Sequence, residues 1–297
     1  MRDAHVMTLG DGRELGWVEF GAPDGWPVLG FHGTPGSRRQ LCLDETHAVA
    51  AGVRLVAPDR PGYGLSTYQP DRRLVSWPRD VEQLADHLGI GRFSVMGISG
   101  GGPHAAACAA LVGERVAVAG IVSGAAPLAH PGFADVLTTP ERVTAALSRK
   151  GSILLRLFVS AEAAAARRFP ERALELFRRQ LPPPDAEIFE RPEMRQLFEL
   201  EMARMSVTTG KAWAQDLELF SSDWGFDLAA ITVPVILWHG EEDRLPLARL
   251  VHDAIPGSQL HVIGGQAHLF AIDELESILR ELVPEPVKAG ARRPTSR

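Results

Sequence analysis

Short apolar runs at residues 27–31, 53–58, 92–97 and 116–122 alternate with helix-length stretches at about 38–51, 77–89 and 100–112. Apolar runs of this length with no polar alternation belong to strands covered on both faces. Helices crossing over between parallel strands supply that cover, with right-handed connections. Ahead of them, alternating apolar residues on either side of the turn at Asp11-Gly12 predict two antiparallel strands near 5–9 and 14–20. After Gly124 the rhythm stops. Residues 128–225 carry helical patterns broken at Pro170, 182–184 and 208–210, with almost no strand candidate. Alternation then resumes with a strand over 233–238, a helix near 246–255, a strand near 259–263 and a last helix near 268–283. The expected fold class is α/β: a mostly parallel eight-stranded sheet with helices on both faces. Its core comprises residues 1–127 and 226–285, with a helical cap inserted at 128–225 and a disordered tail at 286–297.

The balance of charge narrows the partners. Across 297 residues, 31 Lys plus Arg stand against 37 Asp plus Glu, for a net charge of −6. Displacing counterions from a nucleic acid needs a clustered positive field. The only basic-leaning run here is the tail with Lys288, Arg292, Arg293 and Arg297, read as a solvated end. No nucleic acid partner is expected. Two cysteines, Cys42 and Cys108, are too few for a disulfide framework or a structural zinc site, so a reducing, cytoplasmic setting and no metal are expected. The N-terminus lacks the apolar core of a signal peptide, and no run approaches the ~20 apolar residues that span a bilayer, so no membrane association is expected either.

Chemistry enters at Gly97-Ile98-Ser99-Gly100-Gly101, a G-x-S-x-G segment between an apolar strand and an Ala-rich helix. Glycines at 97 and 101 permit a turn tight enough to force Ser99 into an unfavourable backbone conformation and present its hydroxyl outward. Free N–H groups at the start of the following helix then face any negative charge that develops beside it. A serine hydroxyl needs a base, and the base needs a carboxylate. Both are available in loops after later strands. Residues 239–243 offer Glu241, Glu242 and Asp243, of which Asp243 is favoured because the two glutamates follow the strand too closely. Residues 264–268 offer His268, while His239 sits too near its own strand end to reach Ser99 and reads as structural. Acyl transfer also needs oxyanion donors. Gly100 supplies one backbone N–H, and the loop His32-Gly33-Thr34-Pro35-Gly36 supplies another, for which Thr34 is the candidate. Gly33 is small enough for a substrate carbonyl to approach. His104, a turn beyond Ser99, is expected to line the substrate site or brace its helix, and His32 to brace its loop.

These segments, together with the run at 59–66 and the order Ser99, Asp243, His268, resemble the α/β-hydrolase superfamily over roughly residues 14–283. The resemblance implies an α/β-hydrolase fold and a serine hydrolase with Ser99 as nucleophile, His268 as base and Asp243 as its orienting acid. Thr34 and Gly100 would form the oxyanion hole, and no cofactor is implied. The run at 59–66 is then a structural turn. Haloalkane dehalogenases and epoxide hydrolases share the layout but carry Asp where this chain has Ser99. Proline iminopeptidases show H-G-G-P-G and G-G-S-W-G where this chain has H-G-T-P-G and G-I-S-G-G, which ranks peptidase activity second to ester hydrolysis. A ligand-binding protein of the same fold is a further alternative. The expected partner is a small, partly apolar substrate. The large apolar residues of 128–225, among them Leu154, Leu155, Leu157, Phe158, Phe177, Phe189, Leu197, Phe198, Met202, Met205, Trp213 and Trp224, are expected mostly to form the interior of the cap. The acids Glu171, Glu175, Glu187 and Glu201 are expected to form a solvated face.

Overall fold

The computed structural model describes residues 4–42, 44–128, 153–205 and 207–285, with positions 142, 146 and 148; the expected tail at 286–297 lies outside the described residues. Eight strands form one sheet: β1 (His5–Thr8), β2 (Glu14–Gly21), β3 (Trp26–Phe31), β4 (Val53–Pro58), β5 (Phe93–Ile98), β6 (Val116–Val122), β7 (Val235–Gly240) and β8 (Gln259–Ile263). Their spatial order is β1-β2-β4-β3-β5-β6-β7-β8. The pairs β1–β2 and β2–β4 are antiparallel, and the remaining five are parallel. The α/β-hydrolase architecture expected from the sequence is the one observed.

Between the parallel strands run α1 (Glu45–Ala50), α2 (Trp77–His87), α3 (Gly102–Leu111) and α9 (Leu245–Ala254), with α10 (Ala271–Glu281) after β8. Neighbouring residues on a strand point to opposite faces, so every unbroken apolar run feeds two cores. Leu29, Val56, Val95, Ile121 and Leu237 pack on the side of α2, α3 and α9. Val28, Leu55, Met96, Val122 and Ile236 pack on the side of α1 and α10. On α2 the buried residues Trp77, Val81, Leu84 and Ala85 follow the spacing of a single helix face.

Two helical expectations are corrected in extent. The stretch at 38–51 divides into a 3₁₀ turn (Arg38–Leu41) and α1. Buried Asp59 accepts the Arg38 N–H at 2.8 Å, which fixes the first piece, and Asp44 starts the second by accepting the Thr46 N–H at 2.8 Å. The last helix begins at Ala271, so His268 stands in the loop before it.

Between β6 and β7 the described residues contain no strand and five α-helices: α4 (Ile153–Arg168), α5 (Pro170–Arg178), α6 (Pro183–Phe189), α7 (Pro192–Ala203) and α8 (Val207–Phe220). Proline stands at or beside the start of α5, α6 and α7, where its missing N–H costs nothing. Among the described residues no helix is long and apolar enough to cross a membrane.

Candidate active site

Ser99 follows β5 with φ of 53°, in the left-handed region that β-carbon-bearing residues avoid. A β-carbon on Gly97 would collide with the Gly101 carbonyl, and one on Gly101 with the Phe31 carbonyl, so the crossing of strand and helix closes only with glycine at both. Among the described residues the other non-glycine residues with positive φ are Ser123 and Arg244, each at 44°. They follow β6 and Asp243, so all three strained residues cluster where the parallel strands end, the edge at which open α/β sheets carry their sites.

Of the three acids after β7, Asp243 meets His268, with Nδ1 to Oδ2 at 2.7 Å. Nδ1 then carries the proton, which leaves the Nε2 lone pair free to accept one. Burial by itself lowers the His268 pKa, but the Asp243 carboxylate more than offsets this, and the imidazole is raised above its ordinary value. Burial likewise pushes Asp243 upward, and the His268 ring wins by holding the carboxyl below the usual range. Ser123 donates to the His268 carbonyl at 3.4 Å. His239, buried in β7, has Nε2 at 3.5 Å from Asp243, and burial depresses its pKa. Glu241 accepts the Gly265 N–H at 3.1 Å and so ties the two loops together.

The loop after β3 approaches Ser99 from the other side. A β-carbon on Gly33 would lie 3.3 Å from that of Ser99, and one on Gly100 would collide with the Thr34 side chain. The Gly33 N–H is engaged by Gln40 Oε1 at 2.8 Å, so the next N–H along, that of Thr34, is the candidate donor opposite Gly100. His32 is fully buried. Its Nε2 accepts the Arg60 N–H at 3.0 Å, which leaves Nδ1 to donate to the Gly33 carbonyl at 2.8 Å. Burial and the Arg60 charge keep this ring well below its ordinary pKa. The peptide bond between Thr34 and Pro35 is cis.

Behind this loop lies a buried ionic cluster centred on Asp216 of α8. Its carboxylate accepts from Arg60 (2.8 Å), Tyr63 (2.7 Å) and the Thr34 hydroxyl (2.6 Å), and it also pairs with Arg72. Arg60 in turn donates to the Gly33 carbonyl at 2.8 Å and to the Thr34 hydroxyl at 2.7 Å. Burial alone would raise the Asp216 carboxyl, but the two guanidiniums hold it well below the usual carboxylate range. Sequence reasoning missed Asp216, which sits beside Gln215 among Ala212, Trp213, Ala214 and Leu217 with no local motif to mark it.

Ser99, His268, Gly33 and Thr34 all line one cavity of about 1570 Å³, to which α4, α5, α7 and α8 also contribute. His104 is not among the lining residues, which corrects its expected place at the substrate. It is 2% exposed, sits edge-on to Trp77 and directs Nδ1 to the Gly100 carbonyl at 3.0 Å. Burial keeps this ring well below its ordinary pKa. It therefore braces the helix start from behind. The large apolar residues of the helical segment also divide differently from expectation, because Phe177, Leu197, Phe198, Met202, Met205 and Trp213 reach the cavity. Leu157 and Phe158 are exposed, and Trp224 joins the core beneath the sheet. Leu154 lies outside the described side chains. Glu201, expected on a solvated face, lines the cavity and accepts the Ser37 hydroxyl at 2.7 Å, and burial raises its pKa.

By comparison with known proteins, the chain belongs to the alpha/beta hydrolase family, whose model matches residues 28–278. A probable proline iminopeptidase of Streptomyces coelicolor is 36% identical over 107 residues, a third of this chain and a third of that protein. A non-heme haloperoxidase of Rhodococcus erythropolis is 25% identical over 88% of this chain and 92% of its own. Among solved structures, an esterase from Exiguobacterium antarcticum shares the fold with a TM-score of 0.66 and 22% identity, covering 93% of this chain and 97% of that one.

Proposed function

We propose that this hydrolase-family member is a serine hydrolase that cleaves a carboxylic ester, or a related acyl bond, through an acyl-enzyme on Ser99. One observation carries the reading: a strained serine opens onto the same cavity as a histidine whose far nitrogen is fixed at 2.7 Å by a half-buried aspartate. In the first half-reaction Ser99 Oγ attacks the acyl carbon as His268 Nε2 takes its proton. The oxyanion is received by the N–H groups of Gly100 and Thr34, and His268 returns the proton to the leaving alcohol. Water then attacks the acyl-enzyme with His268 again as base, releasing the acid and restoring Ser99. The helices α4–α8 act as a cap over this site. The cavity exceeds the ~300–1000 Å³ of common ligand pockets and is walled by Phe177, Phe198, Met202 and Trp213, which suits a substrate with a sizeable apolar part.

The test is labelling by a fluorophosphonate together with turnover of an ester panel. Wild type should label and Ser99→Ala should not, with turnover lost by several orders of magnitude and melting temperature little changed. Equal labelling of both proteins would sink the assignment. A second reading, hydrolysis of an amide with a free amino group, is favoured by Glu162 and Glu201 on the cavity wall. Aminoacyl amides turned over with a higher kcat/KM than any ester in the panel would establish it.

A further inference from the structure

The backbone that carries His268 is held from the helical segment. Asp185, in the first turn of α6, is 1% exposed, and its two carboxylate oxygens accept the N–H groups of His268 (3.0 Å) and Leu269 (2.7 Å). An acid in a first turn ordinarily faces the open N–H groups of its own helix. This one reaches 83 residues along the chain, to the loop before α10. Just beyond the end of α6, Arg191 grips Asp273 in the first turn of α10, with Nη2 to Oδ2 at 2.9 Å. Residues 185–191 thus hold the end of the loop carrying His268 and the first turn of the helix that follows it.

We propose that Asp185 is a positioning residue for His268, fixing the peptide from which the imidazole projects and setting a second negative charge beside Asp243. This rests on the reading of His268 as the base. Two amide donors on one carboxylate form charge-assisted hydrogen bonds, which are shorter and stronger than neutral ones, and they leave the loop little freedom to rotate the ring away from Ser99. Around His268, Asp243 and His239 come from β7 and its loop, Ser123 from the loop after β6, and Asp185 from α6, while the Arg191–Asp273 pair lies one turn further along, in α10. Asp185 and Asp243 both act to raise the pKa of the imidazole.

The experiment is an NMR titration of the His268 ring, paired with the pH profile of ester turnover, in wild type, Asp185→Asn and Asp185→Glu. Asparagine keeps the shape and one acceptor but loses the charge. The midpoint of the ring should therefore fall, the acid limb of kcat/KM should follow it to lower pH, and kcat should drop about tenfold with KM nearly constant. Glutamate keeps the charge and should restore the midpoint. A folded Asp185→Asn protein with unchanged midpoint and kcat would overturn the proposal. Absence of ester turnover in wild type would instead remove the serine-hydrolase reading, while the ring titration still tests Asp185. Should Asp185→Asn not fold, the wild-type amides of His268 and Leu269 decide the matter: downfield, exchange-protected resonances support the clasp, and rapid exchange refutes it.

Discussion

At the scale of single residues, the site depends on which nitrogen of His268 holds a proton. Asp243 fixes Nδ1 as the donor, so Nε2 must be unprotonated for the ring to act as base. A pKa raised above the ordinary imidazole value of about 6.5 places the acid limb of kcat/KM above that pH. The same shift has the opposite sign for stability. A raised folded pKa contributes stability that is complete below the unfolded value and fades as pH rises through the folded one. With His268 as the base, turnover should therefore be fastest where this contribution has been lost. Asp243→Asn should move the acid limb toward lower pH, because the ring loses the charge that raised it, and kcat should fall by roughly 10⁴, the cost of a wrong tautomer in serine hydrolases. A pH profile that overlays wild type would show that Asp243 does not orient the base.

Between elements, the decisive contact is the one from α8 to the loop after β3. Asp216 and Arg60 together hold Gly33 and Thr34, so the loop facing Ser99 is set by a helix from outside the sheet. Removing one partner of a buried pair leaves the other charges uncompensated, which costs about 3–5 kcal/mol. Asp216→Asn should destabilise by that order in urea titration and lower kcat through the loosened Thr34 loop; an unchanged midpoint would contradict it. The depressed pKa of Asp216 gives stability that is present above the ordinary carboxylate range and lost as pH falls below it toward the folded value. Wild type should accordingly lose more stability below about pH 4 than the asparagine variant does. The same contacts mark what the sequence could and could not disclose. The strands were readable because a double-faced core leaves unbroken apolar runs, and the surroundings of Ser99 because the turn is built from five adjacent residues. Asp243 could be ranked above its two neighbours by distance from the strand end. Asp216 and Asp185 could not be read, because their partners lie 144 to 182 and 83 to 84 residues away and no local pattern records such pairings. His104 was misplaced for a related reason. One helical turn from Ser99 fixes its distance along α3, but whether that face meets the cavity or Trp77 depends on packing.

For the whole molecule, these long-range contacts bear on whether the helical segment between β6 and β7 is a separate folding unit. Its interior is modest, with small buried groups around Leu155, Val159 and Ala214 and around Ala163, Ala166 and Met205. Several of its polar side chains reach the sheet and the loops at its edge. Asp216 pairs with Arg60 and Arg72, Asp185 holds the His268 loop, and Glu201 takes the Ser37 hydroxyl. Gln215 donates to the Gln69 carbonyl at 3.1 Å, and the Phe220 carbonyl accepts the Leu128 N–H at 3.0 Å. Were the helices to detach first, Asp216 would lose Arg60, Arg72, Tyr63 and the Thr34 hydroxyl together, before the sheet gained anything in conformational entropy. The helical segment and the sheet should therefore melt together. Scanning calorimetry of the intact chain is expected to give one transition with equal calorimetric and van't Hoff enthalpies. In Asp216→Asn that single transition should move to lower temperature without splitting, because Asp185, Glu201 and Gln215 still hold the interface. Two resolved transitions in the wild type would mean that the helices fold on their own account, and that the clasp on His268 can open while the sheet stays intact.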